Sequence, residues 1–164
     1  MNLRRMYTVI VIVLIWTVHS VAAQPTGLDG GRITRKLKLP DGATFVVTVS
    51  VGKWRSDPYK NGQLWGAWGK TPTTVIALVA GSRNKESFFV PFSSYADLAD
   101  PHTAELRLKG NNVELEIGNG DARHSYRAVL VFAKGWYLSS RRVVDSEMPK
   151  EAREETKYFG VEIR

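Results

Sequence analysis

Apolar and polar positions alternate with a period of two along much of this chain, as they do in strands that turn one face to a core and the other to water. Phe45, Val47, Val49 and Val51 fall on one side of such a run, with Thr44, Val46, Thr48 and Ser50 on the other. Ahead of it, residues 33–39 alternate toward their end, and Pro40-Asp41-Gly42 separates the two runs. Proline presets φ and glycine accepts a left-handed backbone, so the pair is predicted to form a β-hairpin.

Residues 73–80 are a β-branched apolar run with no polar face, which predicts a strand buried on both sides. Residues 87–92 read as another strand, and Pro91 makes it an edge or a strand end. Residues 93–98 suggest a short helical turn capped by a serine, with Asp97 and Asp100 as further caps and His102 exposed. Four more strands are expected at 104–109, 113–117, 125–132 and 136–145, separated by glycine- and asparagine-rich turns. Residues 149–156 read as one or two exposed helical turns, and the mixed-charge run 150–155 as a solvated face. Residues 157–163 are expected to close the chain as a strand, with Phe159, Val161 and Ile163 inward. Regular short strands with turn chemistry between them predict an all-β domain: a single antiparallel β-sandwich or barrel with one or two short helical turns.

The start of the chain follows another pattern. Arg4 and Arg5 precede an almost unbroken apolar stretch over 6–18, and Val21-Ala22-Ala23 offers small residues for cleavage. Together these are the parts of a secretory signal peptide, residues 1–23. Its thirteen-residue apolar core falls short of the roughly 20 residues that span a bilayer. The expected mature protein therefore starts near Gln24, with a flexible leader at 24–31, a single β domain at 32–164 and no membrane span after cleavage; the alternative is an uncleaved N-terminal anchor.

Charge is distributed unevenly. Residues 24–92 carry 10 basic and 4 acidic side chains, against 11 basic and 12 acidic in 93–164. The chain has no cysteine and no Asn-x-Ser/Thr acceptor site, which fits a bacterial envelope better than a eukaryotic secretory pathway. The expected location is periplasmic or extracellular.

The most distinctive candidate site lies in the loop 53–70. Trp54, Tyr59, Trp65 and Trp68 are interleaved there with Lys53, Arg55, Lys60 and Lys70. Flat aromatic faces beside cations suit sugar rings or a protein partner, and long loops in compact domains often carry function. Trp54, Arg55, Tyr59, Lys60, Trp65 and Trp68 are the candidate ligand-binding residues. The competing reading makes the indoles a lid over one end of the core. Nucleic acid would suit the same residue types, but export argues against it.

Other chemistry is weaker. The spacing of Asp97, Asp100 and His102 matches no metal-ligand pattern. His124 and Ser125 are neighbours on a strand and point to opposite faces, so they do not pair as base and nucleophile. The glycines around Asn119 open no helix and build a hairpin turn, not a phosphate cradle. No catalytic residue, metal or cofactor is assigned.

Gly120-Asp121, Ser125-Tyr126-Arg127-Ala128, Phe132, Arg141-Arg142-Val143, Glu147, Pro149 and Glu155-Thr156 followed by Tyr158 resemble a pattern in uncharacterised secreted bacterial β proteins. The resemblance covers about forty residues and implies export and a β fold, with no activity. The turn Leu39-Pro40-Asp41-Gly42 also resembles that of periplasmic lysozyme inhibitors. The expected function is an exported envelope-binding module with envelope polysaccharide or another envelope protein as partner. The alternatives are an envelope hydrolase with a site assembled from dispersed carboxylates, and a lysozyme or hydrolase inhibitor. A basic inhibitor of basic lysozymes would forgo electrostatic steering.

Overall fold

The computed structural model describes residues 27–28, 31–55, 64–67, 71–119, 125–145 and 152–159. Residues 1–23, read above as a signal peptide, lie outside them, as do Tyr59, Lys60, Trp68 and His124. Among the described residues no helix is long and apolar enough to cross a membrane.

Among the described residues nine strands build two antiparallel sheets, each a simple meander. The first holds β1 (Arg32–Lys38), β2 (Thr44–Lys53), β3 (Thr74–Arg83) and β4 (Glu86–Phe88); the second holds β5 (Thr103–Lys109), β6 (Asn112–Gly118), β7 (Tyr126–Ala133), β8 (Tyr137–Asp145) and β9 (Ala152–Lys157). The sheets form a sandwich and not a closed barrel. Alternation supplies the core directly: Ile33, Phe45, Val47, Val49, Ile76 and Val79 of one sheet face Leu115, Ile117, Ala128, Leu130, Phe132 and Val143 of the other. The β1–β2 hairpin forms as expected around Pro40-Asp41-Gly42, with Leu37 opposite Phe45. Gly42 takes the left-handed φ of 81° that the turn needs.

Gly81 lets an aromatic cluster form. A Cβ there would collide with the Phe88 ring, so only glycine allows Phe88 to lie across β3. Phe88 then stacks on Phe45 at 5.3 Å, and both tilt against Phe132 at 5.3 and 5.6 Å between centroids.

Several expectations need correction. The 73–80 run is not buried on both sides. Ile76 and Val79 point inward, whereas Leu78 is 45% exposed on the outer face, because each sheet packs on one side only. The helical turn is a single 3₁₀ turn, Phe92–Ser94, and no side chain caps it. The Ser94 hydroxyl instead donates to the Pro91 carbonyl. Residues 152–157 are strand β9 and not helix, since pairing with β8 outweighs the helix-compatible composition. Phe159, expected inward, is 92% exposed, while Val161 and Ile163 lie outside the described residues. The leader is tied down in part: Leu28 is buried and its amide donates to the His102 carbonyl, while Gly27 pairs with Thr103 on the outer edge of β5.

Candidate functional site

At the end of the sandwich away from the Pro40-Asp41 turn, β4 has stopped, and its place beside β3 is taken by Leu98-Ala99. Val75 pairs with Ala99, and Trp65 pairs with Leu98 from the far side. The Trp65 amide donates to the Asp97 carbonyl, and the Ala99 amide donates to the Trp65 carbonyl, both at 2.9 Å. Gly66 follows with φ of 87°, and a Cβ there would sit 2.5 to 2.9 Å from Asn119 Nδ2, the Ala99 carbonyl and the Tyr126 ring. This part of the aromatic loop is therefore clamped onto the core. The Trp65 indole is half-buried against that core, and its Nε1 donates to Glu154 at 3.3 Å. Trp65 occupies the lid position of the two readings above.

Beneath this lid lies a polar cluster built around Arg141, which is only 3% exposed. Its position on β8, opposite Leu130 of β7, points it inward. Nη2 donates to both oxygens of Asp97 at 2.9 and 2.8 Å, and Nη1 donates to Glu154 at 2.8 Å. Tyr126, buried alongside, donates from its hydroxyl to the Ala99 carbonyl at 3.1 Å. Burial, reinforced by the charges of Asp97 and Asp100, holds its phenol far above the ordinary tyrosine value. Burial also raises the Tyr158 phenol, which bonds Ser93. Asp97 is thus a partner of a buried arginine, not a cap on the helical turn, and Glu154 is more than one charge on a solvated face. Two carboxylates converge here, but the guanidinium between them engages both.

Beside the lid, a cleft of about 520 Å³ opens between the sheets. Lys53, Thr73, Thr74, Asp100, His102 and Asn119 supply its polar lining, and Leu28, Val51 and Pro101 its apolar part. Lys53 reaches it because inward positions on β2 continue from Val49 through Val51 to residue 53. Asp100 is committed to architecture. One of its oxygens accepts the amides of Thr73 and Thr74, at 2.9 and 2.8 Å, and the Thr74 hydroxyl at 3.3 Å. His102 is exposed, as expected, and its backbone bridges Gly118 and Leu28. Among the described residues no group of three or more His, Cys, Asp or Glu side chains is arranged to hold a metal.

The expected ligand residues separate. Trp54 and Arg55 follow the lining residue Lys53 at the edge of the cleft: the Trp54 amide donates to the carbonyl of the lining residue Thr73 at 3.0 Å, neither side chain is among the lining ones, and Arg55 is exposed. Trp65 sits across Leu98 in the lid. Tyr59, Lys60 and Trp68 lie outside the described residues. The sequence reading passed over Lys53, Thr73 and His102 as one site because they come from β2, a β3 flank and a β5 flank. It missed the Arg141 hub as well, although a charged residue at an inward position of an alternating strand is the signal that marks one. Set against known proteins, the chain matches no family model, no curated protein and no solved structure.

Proposed function

We propose that this chain is an exported binding module of the cell envelope, without chemistry of its own, that takes its ligand at the cleft end of the sandwich. The observation that carries the reading is the juncture of cleft and aromatic-basic segment, where Lys53 lines the cavity and Trp54 and Arg55 follow at its rim. A concave site lined by a lysine, threonine hydroxyls and an imidazole, with an aromatic-basic segment leading off its edge, suits a polysaccharide segment. Hydroxyls and amides can bond the sugar's oxygens while an aromatic face covers the ring. Against the hydrolase alternative, the carboxylates that come together near the lid among the described residues are already occupied: Asp97 and Glu154 by Arg141, Asp100 by two backbone amides.

The test is retention of purified envelope polysaccharides by the protein and two variants. Trp54→Ala/Arg55→Ala should keep the thermal midpoint and lose about thirtyfold or more in affinity, as expected for rim residues that act as hot spots. Trp65→Ala should instead lower the midpoint, since it removes a lid residue packed on the core. Unchanged affinity in the rim variant would overturn the reading. Release of shortened or deacylated polysaccharide by the unmodified protein would replace it with the hydrolase.

A further inference from the structure

The two sheets turn very different faces to solvent. On the second, Glu114 and Glu116 of β6 are matched by Arg107 and Lys109 of β5 and by Arg127 of β7. Arg107 Nε lies 3.0 Å from Glu114, Lys109 Nζ 3.2 Å from Glu114, and Arg107 also bonds Glu116. Arg107, Lys109 and Arg127 are thus matched by carboxylates within the face itself, while Arg142 and Lys157 of the same face make no ion pair among the described residues.

The first sheet has no such balance. Strand alternation puts Arg32, Thr34, Lys36 and Lys38 of β1 on its outer side, in register with Ser50, Thr48, Val46 and Thr44 of β2. The rows continue to Leu78, Ala80 and Ser82 of β3, and from Ser82 to Ser87 of β4. No carboxylate occupies an outward position in these rows. Arg32 reaches only the Ser50 hydroxyl, at 3.1 Å, and Thr34 and Thr48 bond each other at 2.9 Å. Lys36, Lys38 and Lys85 are exposed and make no ion pair among the described residues. A shallow depression of about 380 Å³ lies in this face, lined by Lys36, Thr44, Val46, Ser82, Asn84 and Lys85. Asn84 is fixed there, because its Oδ1 accepts the Thr44 amide and its own amide donates to the Thr44 carbonyl.

We propose that this outer face is a second binding surface, and that its partner is an acidic polysaccharide. Alternate residues of a strand lie about 6.8 Å apart and neighbouring strands about 4.8 Å apart. Arg32, Lys36, Lys38 and Lys85 therefore form a stripe along and around one hydroxyl-lined plane. A flexible chain bearing carboxylate, phosphate or sulfate groups meets a cation at intervals along that stripe, and its own hydroxyls meet Ser and Thr between them. Charge complementarity points to an anionic partner. The choice of polysaccharide over an acidic membrane rests on side-chain size. Among the outward positions named above only Val46 and Leu78 are sizeable apolar groups, and the exposed Phe89 just past β4 is a single aromatic at their edge, less than the continuous apolar face that an interfacial contact buries. Four of the ten basic residues of the first half of the chain, Arg32, Lys36, Lys38 and Lys85, lie here, distinct from the cleft.

Binding of the purified protein to alginate, dextran sulfate and neutral dextran tests this, with vesicles of phosphatidylcholine containing phosphatidylglycerol as the membrane arm. The two acidic polymers should bind with an affinity that falls as salt is added, and neutral dextran should not bind. Lys36→Gln/Lys38→Gln/Lys85→Gln should weaken binding to the acidic polymers by about tenfold or more, with the fold intact because all three side chains project into water. Lys134→Gln/Arg142→Gln/Lys157→Gln removes the same charge from other exposed positions and should change affinity less than about threefold. Trp54→Ala/Arg55→Ala should likewise retain alginate. Equal losses in the two triple variants would reduce the effect to net charge and overturn the proposal. Loss in the rim variant with retention in the Lys36 triple variant would move the anion site to the cleft and overturn it too. Tighter binding to the anionic vesicles than to either acidic polymer would make the face a membrane contact instead.

Discussion

Arg141 grips Asp97 with both carboxylate oxygens within 2.9 Å of Nη2, across 44 residues of sequence. The pair pins the lid to the second sheet, because the Asp97 backbone carbonyl is also the acceptor for Trp65. A guanidinium this deeply buried is tolerable only while its carboxylates are in place. Arg141→Ala is expected to cost about 3 kcal/mol, the lower part of the range for a broken buried pair, since both carboxylates left behind are about a third exposed and can rehydrate. Urea unfolding curves would measure it. A loss below about 0.5 kcal/mol would place the hub among surface ion pairs.

Glycine at 66 and glycine at 42 share a left-handed φ, 87° and 81°, but only residue 66 is crowded by its surroundings. Alanine at 42 should cost about 1–2 kcal/mol for the backbone conformation alone. At 66 it should cost clearly more, because a Cβ would have to displace the Ala99 carbonyl and the Tyr126 ring. Thermal midpoints of Gly42→Ala and Gly66→Ala, compared side by side, check the difference.

Adjacent positions on β2 should respond in opposite ways to a charge. Val47 is fully buried, so Val47→Asp places an unpaired carboxylate between the sheets and should unfold the domain at room temperature or lower its stability by several kcal/mol. Thr48 faces outward, and Thr48→Asp should be mild. Equal effects on the denaturation midpoint would mean a register error.

Glu114 governs part of the acid limit. Burial pushes its carboxyl pKa up, but hydrogen bonds from Arg107 and Lys109 outweigh that, and the net position is below the ordinary 4.5. A carboxyl whose pKa is lower in the folded state binds its proton first in the unfolded chain. Its contribution is therefore complete above 4.5 and is lost as pH falls from there through the folded value. Glu114→Gln should flatten the stability profile in that window and leave its shape near neutrality unchanged, as read from unfolding midpoints between pH 3 and 7 on the order of one-unit steps.

Much of the architecture could be read in the order of residues. The β1–β2 hairpin and the four strands from 104 to 145 depend on alternation and turn chemistry, which act between neighbours, whereas the strand expected over 87–92 stops at Phe88. Residues 152–157 could not be read this way. Their composition permits a helix, and only the free edge of β8 makes them a strand. Phe159 shows the same limit from the other side: hydrophobicity placed it inward, but the strand ends at Lys157, before it can reach the core.

The cleft and the hub belong to tertiary structure entirely. Lys53, Thr73 and His102 meet because the two sheets stack, and Arg141, Asp97 and Glu154 because β9 and the 92–100 crossover both close over β8. The sequence by itself determined the β class, the face that each alternating residue takes and the basic excess of the first half, since each follows from residue identity and spacing along the backbone. Only the tertiary structure decided that Trp65 packs into a lid, and that one sheet sets carboxylates among the cations of its outer face while the other presents cations without them. Those outcomes depend on which distant strands become neighbours, and pairing across tens of residues leaves no periodic trace in the chain.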